Sequence, residues 1–146
     1  MNWKLLLNFA CIGFLVSACT IEPKAIDFGN DDCDYCKMTI SDSRFGAEVL
    51  TKKGRVYKFD DMHCVNGFLE DEIVPEDQVH SIWLVDFSNP EHLIRAEKSF
   101  LLYNEKLQSP MGANIAAFEK EEELHKYHAE HSGEILKWSD FLNAQH

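Results

Sequence analysis

The chain is short of basic residues. It carries 14 Lys and Arg against 25 Asp and Glu, for a formal net charge of −11. A nucleic-acid surface needs clustered Lys and Arg to neutralise phosphates, so nucleic acid is excluded as a partner. The same acidity repels anionic headgroups, which leaves no protein face suited to holding a membrane by charge. After residue 18 no apolar stretch approaches spanning length. No Gly-rich phosphate loop is present, and no Ser-His-Asp or Cys-His order on which to build a catalytic site. These absences argue against an enzyme.

The first nineteen residues are of another kind. Met1 to Lys4 carries one positive charge, and Leu5 to Val16 is apolar except at Asn8 and Gly13. The apolar run is about a dozen residues, whereas a membrane span needs roughly 20. Val16-Ser17-Ala18-Cys19 follows, with small residues ahead of a cysteine. This reads as a lipoprotein signal peptide over residues 1–18, cut before Cys19, whose sulfur then carries lipid. The expectation is a protein anchored by lipid to a membrane of the cell envelope, on the extracytoplasmic (periplasmic) side. Removing residues 1–18 takes away one Lys and no acid, so the mature chain is more acidic still.

Of five cysteines, Cys11 leaves with the signal peptide and Cys19 is lipidated. Cys33, Cys36 and Cys64 remain, an odd number. One disulfide would leave a thiol spare, whereas a metal site uses three thiols without pairing them.

Residues 19–30 contain Pro23 and Gly29 and lack periodicity, as a tether does. Residues 31–90 read as a first module. Phe45 to Leu50 and Val56 to Phe59 flank a Lys52-Lys53-Gly54 turn and form a hairpin. Met62 to Glu70, capped by Asp60 or Asp61, is a helix with Met62, Val65, Phe68 and Leu69 on one side. Val79 to Phe87 is a strand. Residues 91–146 repeat the order: strands at Ser99 to Tyr103 and Ile115 to Phe118, a polar helix over Glu119 to His131 stopped by Gly133, and a last strand from Ile135 to Phe141. The predicted fold is therefore α+β, two small ββαβ modules in tandem after a lipid-anchored tether. Trp83 and Trp138 fall in the closing strands and are assigned to the core.

Cys33-Asp34-Tyr35-Cys36 is a CxxC, which alone fits disulfide exchange, zinc or a soft metal, besides a structural disulfide. Redox CxxC pairs sit at a helix start after a strand, and nothing before Cys33 reads as a core strand. A zinc site could close on Cys33, Cys36, His63 and Cys64. Met38 lies two residues after Cys36, on the same side of an extended segment. Thiolate and thioether together select Cu(I). Met111 lies in the turn Ser109-Pro110-Met111-Gly112. Asp32 and Asp34 are hard donors, Asp60 and Asp61 fit helix capping better than copper, and His125, His128 and His131 read as a solvated helix face.

The segment from Cys33 to Ile40 resembles the Cys-x-Met signature of the NosL family, accessory lipoproteins of nitrous-oxide reductase. Phe59-Asp60-Asp61-Met62-His63-Cys64 resembles that family's Phe-Asp-Asp block, and Ser109-Pro110-Met111-Gly112 its Met-containing turn. Lys37 stands where family members often have Gly. The resemblance implies two ββαβ modules and Cu(I) carried for delivery to the reductase. Carried over residue by residue, it makes Cys36, Met38 and Met111 the ligand candidates, with Cys33 and Cys64 secondary. A thiol-disulfide oxidoreductase using Cys33 and Cys36, and a zinc-stabilised binding module, remain as alternatives.

Overall fold

The computed structural model describes residues 20–143, so the expected signal peptide and Cys19 lie outside the described residues. Two antiparallel sheets carry the fold. The first holds β1 (Ala47–Thr51), β2 (Val56–Phe59), β3 (Val79–Val85) and β4 (Leu93–Arg95) in the order β2-β1-β3-β4. The second holds β5 (Phe100–Tyr103), β6 (Ile115–Phe118) and β7 (Glu134–Leu136) in the order β6-β5-β7. Helix α1 (Met62–Glu70) joins β2 to β3, and α2 (Glu121–His131) joins β6 to β7. Each half is thus a ββαβ unit whose first strand lies between the other two, and the fold is α+β.

Local chemistry accounts for these elements. The β1–β2 hairpin turns at Gly54, whose φ of +79° suits glycine. Helix α1 starts at Asp61, whose side chain accepts from the His63 N–H. It buries Met62, Val65 and Phe68, the spacing of one helical face. Phe68 packs between Tyr57 and Phe59 at ring-centroid distances of 4.8 and 5.0 Å. Helix α2 buries only Leu124 and ends at His131; two residues on, a Cβ on Gly133 would come within 2.5 Å of the Tyr103 carbonyl oxygen.

The halves share one core. Val65, Phe68 and Leu84 of the first pack in one cluster with Leu101, Ile115 and Ala117 of the second. Leu102, Ala116 and Phe118 turn the other way and pack with Leu124 of α2. The second sheet is therefore covered on both faces, which is why Phe-Leu-Leu-Tyr and Ile-Ala-Ala-Phe are continuously apolar. The Phe87 N–H donates to the Ala117 carbonyl at 2.7 Å and ties the end of the first sheet to β6.

Three segments depart from the sequence reading. Leu93–Arg95 pairs with β3, so the first sheet runs past residue 90. The expected strand from Ile135 to Phe141 is instead β7 followed by α3 (Trp138–Asn143). Asp140 accepts from the Lys137 N–H at 3.1 Å and fixes the helical turn, while Trp138 and Phe141 stack at 5.2 Å, three residues apart. Trp138 is half-buried on that helix and Trp83 half-buried on β3.

The third departure is the tether. Residues 20–30 have no helix or strand, yet their later part is docked. Ile26 is buried in the shared core. The Lys24 N–H donates to Glu48 Oε2 at 3.0 Å, and Lys58 Nζ donates to the Ala25 carbonyl at 2.8 Å. The segment is a strap across the first sheet, with Glu48 beneath it.

Glu48 is fully buried, and its Oε1 has no hydrogen-bond partner among the described residues. Burial pushes its carboxyl from an ordinary 4.5 up to about 7, against the Lys24 N–H, Lys58 and Lys24, which pull it down. A raised acid binds its proton more tightly in the folded chain. Its contribution to stability is present at pH 4.5 and below and is lost as pH rises toward 7. The loss reaches about 3 kcal/mol. Glu48→Gln is expected to flatten this dependence and to leave the protein more stable than the parent at pH 8. Urea unfolding at pH 5 and pH 8 checks it; an equal pH slope in the variant would assign the dependence elsewhere.

Candidate metal centre

Cys33 and Cys36 occupy a tight hairpin. Cys33 N–H donates to the Met38 carbonyl at 2.8 Å, Lys37 N–H to the Cys33 carbonyl at 3.0 Å, and Ile40 N–H to the Asp31 carbonyl at 2.8 Å. Lys37 takes a φ of +65° to close it. That left-handed conformation costs a non-glycine residue about 1 kcal/mol.

Two side chains seat the hairpin. The Asp34 carboxylate accepts from the Lys58 N–H at 2.8 Å, and the Asp34 N–H donates to the Lys58 carbonyl at 2.8 Å, which docks the turn on β2. Tyr35 lies on α1 and its hydroxyl donates to Asp71 Oδ2 at 3.0 Å. A Cβ on Gly67 would come within 2.5 Å of the Tyr35 ring, so the hairpin reaches the helix only because residue 67 lacks one. Gly67 is three residues beyond Cys64, and the same contact brings the hairpin to the third cysteine.

Cys33, Cys36 and Cys64 converge: their Sγ atoms all lie within 4.8 Å of one another. All three are free thiols. Cys33 and Cys64 are buried completely and Cys36 is half-buried, so the cluster opens to solvent on the Cys36 side. The thiols are unequal. Cys33 is held down to about 5, chiefly by its hydrogen bond with Cys64, with backbone N–H groups of Asp60, Cys36 and Tyr35 also turned on its sulfur. Cys64 is pushed up by the same hydrogen bond and by burial, and Cys36 is raised, first by burial. The downward pull therefore falls on Cys33, one of the two fully buried sulfurs, and not on the half-buried Cys36.

Asp60 borders the cluster. It is almost fully buried, its Oδ1 lacks a partner among the described residues, and burial lifts its carboxyl to about 6, with the Cys33 charge adding to the rise. A buried, partnerless polar atom beside three soft donors suits a site that a cation completes.

The remaining candidates are distributed around this point. Met38 is 56 % exposed, on the hairpin strand leaving Cys36. Met111 is half-buried and packs against the cluster of core residues that contains Cys33 and Cys64. Asp61 caps α1. Asp32 accepts from the Thr39 hydroxyl at 3.1 Å, and Asp34 serves β2. His63 is exposed and outside the cysteine group. His125 faces Glu121 at 3.6 Å, His128 meets the Gly133 carbonyl at 3.2 Å, and His131 stacks on Tyr127 at 4.0 Å. These histidines form no common site.

Sequence reasoning ranked Cys33 and Cys64 below Cys36, yet these are the sulfurs that lie with it. The available signal was Gly67. A glycine inside a helical pattern marks close packing, here that of Tyr35.

Comparison with known proteins follows the same lines. The NosL family model matches residues 24–145. A copper-binding lipoprotein NosL of Stutzerimonas stutzeri is 25 % identical over 133 residues, an overlap of 86 % of this chain and 68 % of that protein. Among solved structures, the crystal structure of the copper chaperone NosL from Shewanella denitrificans superposes with a TM-score of 0.70 at 22 % identity. That match covers 82 % of this chain and 95 % of the other, and at this identity it speaks for the fold.

Proposed function

This chain belongs to the NosL family, and on that premise we propose that it is a lipid-anchored, extracytoplasmic copper chaperone. It carries Cu(I) as cargo and hands it to a copper-acceptor protein during copper-site assembly, nitrous-oxide reductase or its maturation machinery being the acceptor that the family implies. It works as a carrier and not as an enzyme. The observation that carries this reading is the convergence of three free cysteine sulfurs within 4.8 Å of one another, open on one side. Three thiols are a soft donor set, to which Met38 and Met111 would add thioethers, and soft donors select Cu(I). Cys36, Met38 and Met111 form the entry side of the site, and Cys33 and Cys64 its buried side.

The other readings fit the geometry less well. A structural zinc site wants four ligands, and His63, the natural fourth, is exposed and apart from the group. A thiol-disulfide oxidoreductase needs its accessible thiol ionised. Here burial raises the accessible thiol, Cys36, and the thiol pulled down, Cys33, is fully buried.

The test is metal content. The mature chain, purified under reductant and offered copper and zinc in equal amounts, is expected to retain one Cu(I). Retention of zinc alone would favour the zinc module. No retained metal, with reduction of insulin disulfides, would favour the redox reading.

A further inference from the structure

One carboxylate joins the two halves beside the cysteine cluster. Asp61 is fully buried. Its Oδ1 accepts from the His63 N–H at 2.5 Å and caps α1. Its Oδ2 accepts three hydrogen bonds from the second half: Ser109 Oγ–H at 2.6 Å, Met111 N–H at 3.0 Å and Ala113 N–H at 3.3 Å. The turn closes on itself around this point. Ser109 Oγ accepts from the Asn114 N–H at 2.8 Å, and Asn114 Oδ1 accepts from the Ser109 N–H at 3.1 Å. The main chain of Asp61 holds the cysteine side as well, because its carbonyl accepts from the Cys64 N–H at 3.0 Å. Cys64 and Met111, 47 positions apart in sequence, are therefore each one hydrogen bond from the same residue.

Helix capping uses one oxygen. It does not account for a buried second oxygen that gathers three donors from a turn in the other half. A carboxylate is the side chain suited to this, because both its oxygens only accept. We infer that Asp61 is a positioning residue for the copper site, setting the Met111 turn against the helix that carries Cys64 so that the Met111 thioether joins the thiolates on one ion. Residues that hold metal ligands in place typically govern affinity by about 10- to 100-fold. This rests on the copper reading above and adds a specific coupling: the contribution of Met111 exists only while Asp61 holds its turn.

The experiment separates capping from positioning. Serine caps helices well but is too short to reach the turn, so Asp61→Ser keeps the helix start and releases Met111. Asp61→Asn also caps, but it can set an amide N–H against the three donors. Cu(I) affinity is measured by chelator competition for the parent, Asp61→Ser, Met111→Leu and the double variant. Selenium X-ray absorption on selenomethionine-labelled protein reports whether a copper–selenium contact forms, and the Met111→Leu sample shows whether that contact belongs to residue 111. Each single variant is expected to lose about tenfold in affinity, the double variant no more than one of them, and the part of the copper–selenium contact that is lost in Met111→Leu to be lost in Asp61→Ser as well. Additive losses, or an unchanged copper–selenium contact in Asp61→Ser, overturn the positioning role. Should Asp61→Ser not fold, Asp61→Asn and Ser109→Ala carry the same cycle with the same two outcomes. A parent that takes no Cu(I) is the separate failure of the copper reading itself.

Discussion

Cys36→Ser is expected to weaken Cu(I) binding by about a hundredfold, more than Met38→Leu or Met111→Leu. A four-ligand thiolate or imidazole site is worth about 10–16 kcal/mol, so one thiolate is worth about 3 kcal/mol, or two decades in affinity. Serine offers a hard oxygen that does not ionise at neutral pH, so it replaces neither the softness nor the charge. Thioethers are neutral donors, and losing one is expected to cost about tenfold. Cys33→Ser and Cys64→Ser are expected to match Cys36→Ser, because all three sulfurs lie within 4.8 Å of one another. Both positions are fully buried, so their thermal unfolding must be followed beside their affinity. Met→Leu roughly conserves volume and usually costs under about 1.5 kcal/mol of stability, so lost binding there reports the site. The measurement is competition with a Cu(I) chelator at fixed pH. Full affinity in Cys33→Ser and Cys64→Ser would reduce the site to Cys36 and the methionines. Full affinity in both methionine variants would confine it to the cysteines.

Much of this architecture was legible before any coordinates. Helix α1 is where Met62, Val65 and Phe68 place it by period, and Ile115–Phe118 falls on its expected strand. Both are signalled locally, by a cap or by an apolar run bounded by turn residues. What escaped is defined by partners distant in sequence. Leu93–Arg95 is a strand because β3 lies beside it, and three residues carry no periodicity of their own. Residues 20–30 lack periodicity and read as a linker, and partners later in the chain, Glu48, Lys58 and the core around Ile26, make them a strap. At the site the three cysteines were already a candidate group, as zinc ligands with His63, but nothing local chose that grouping over Cys36 with Met38 and Met111. CxMx spacing drew attention to Cys36 and Met38, while the bond between hairpin and helix runs through Tyr35 and Gly67. A spacing argument within one segment does not detect such a contact.

The strap also bears on the proposed lipid anchor. Cys19→Ala is expected to leave the protein without lipid, either cut elsewhere and released from the membrane fraction or uncleaved and still carrying the apolar run Leu5 to Val16. The motive is Val16-Ser17-Ala18-Cys19. Each buried acyl methylene contributes about 0.8 kcal/mol, one chain gives only reversible binding, and two or more give a stable anchor. Among the described residues no helix is long and apolar enough to cross a membrane. A formal net charge of −11 opposes adsorption to anionic headgroups. Release of the cut form should therefore be all-or-none and insensitive to salt, unlike that of a protein held by charge. Copper affinity of the released chain should match the parent's, since Ile26 and Lys24 hold the strap from within the fold. Labelling cells with a fatty-acid analogue, then fractionating them, tests both halves of this. Equal label on the variant and the parent would remove Cys19 as the lipidation site. An unlabelled variant that has lost the segment Leu5 to Val16, judged by its mass, and still stays in the membrane fraction would point to a second membrane contact in the protein itself.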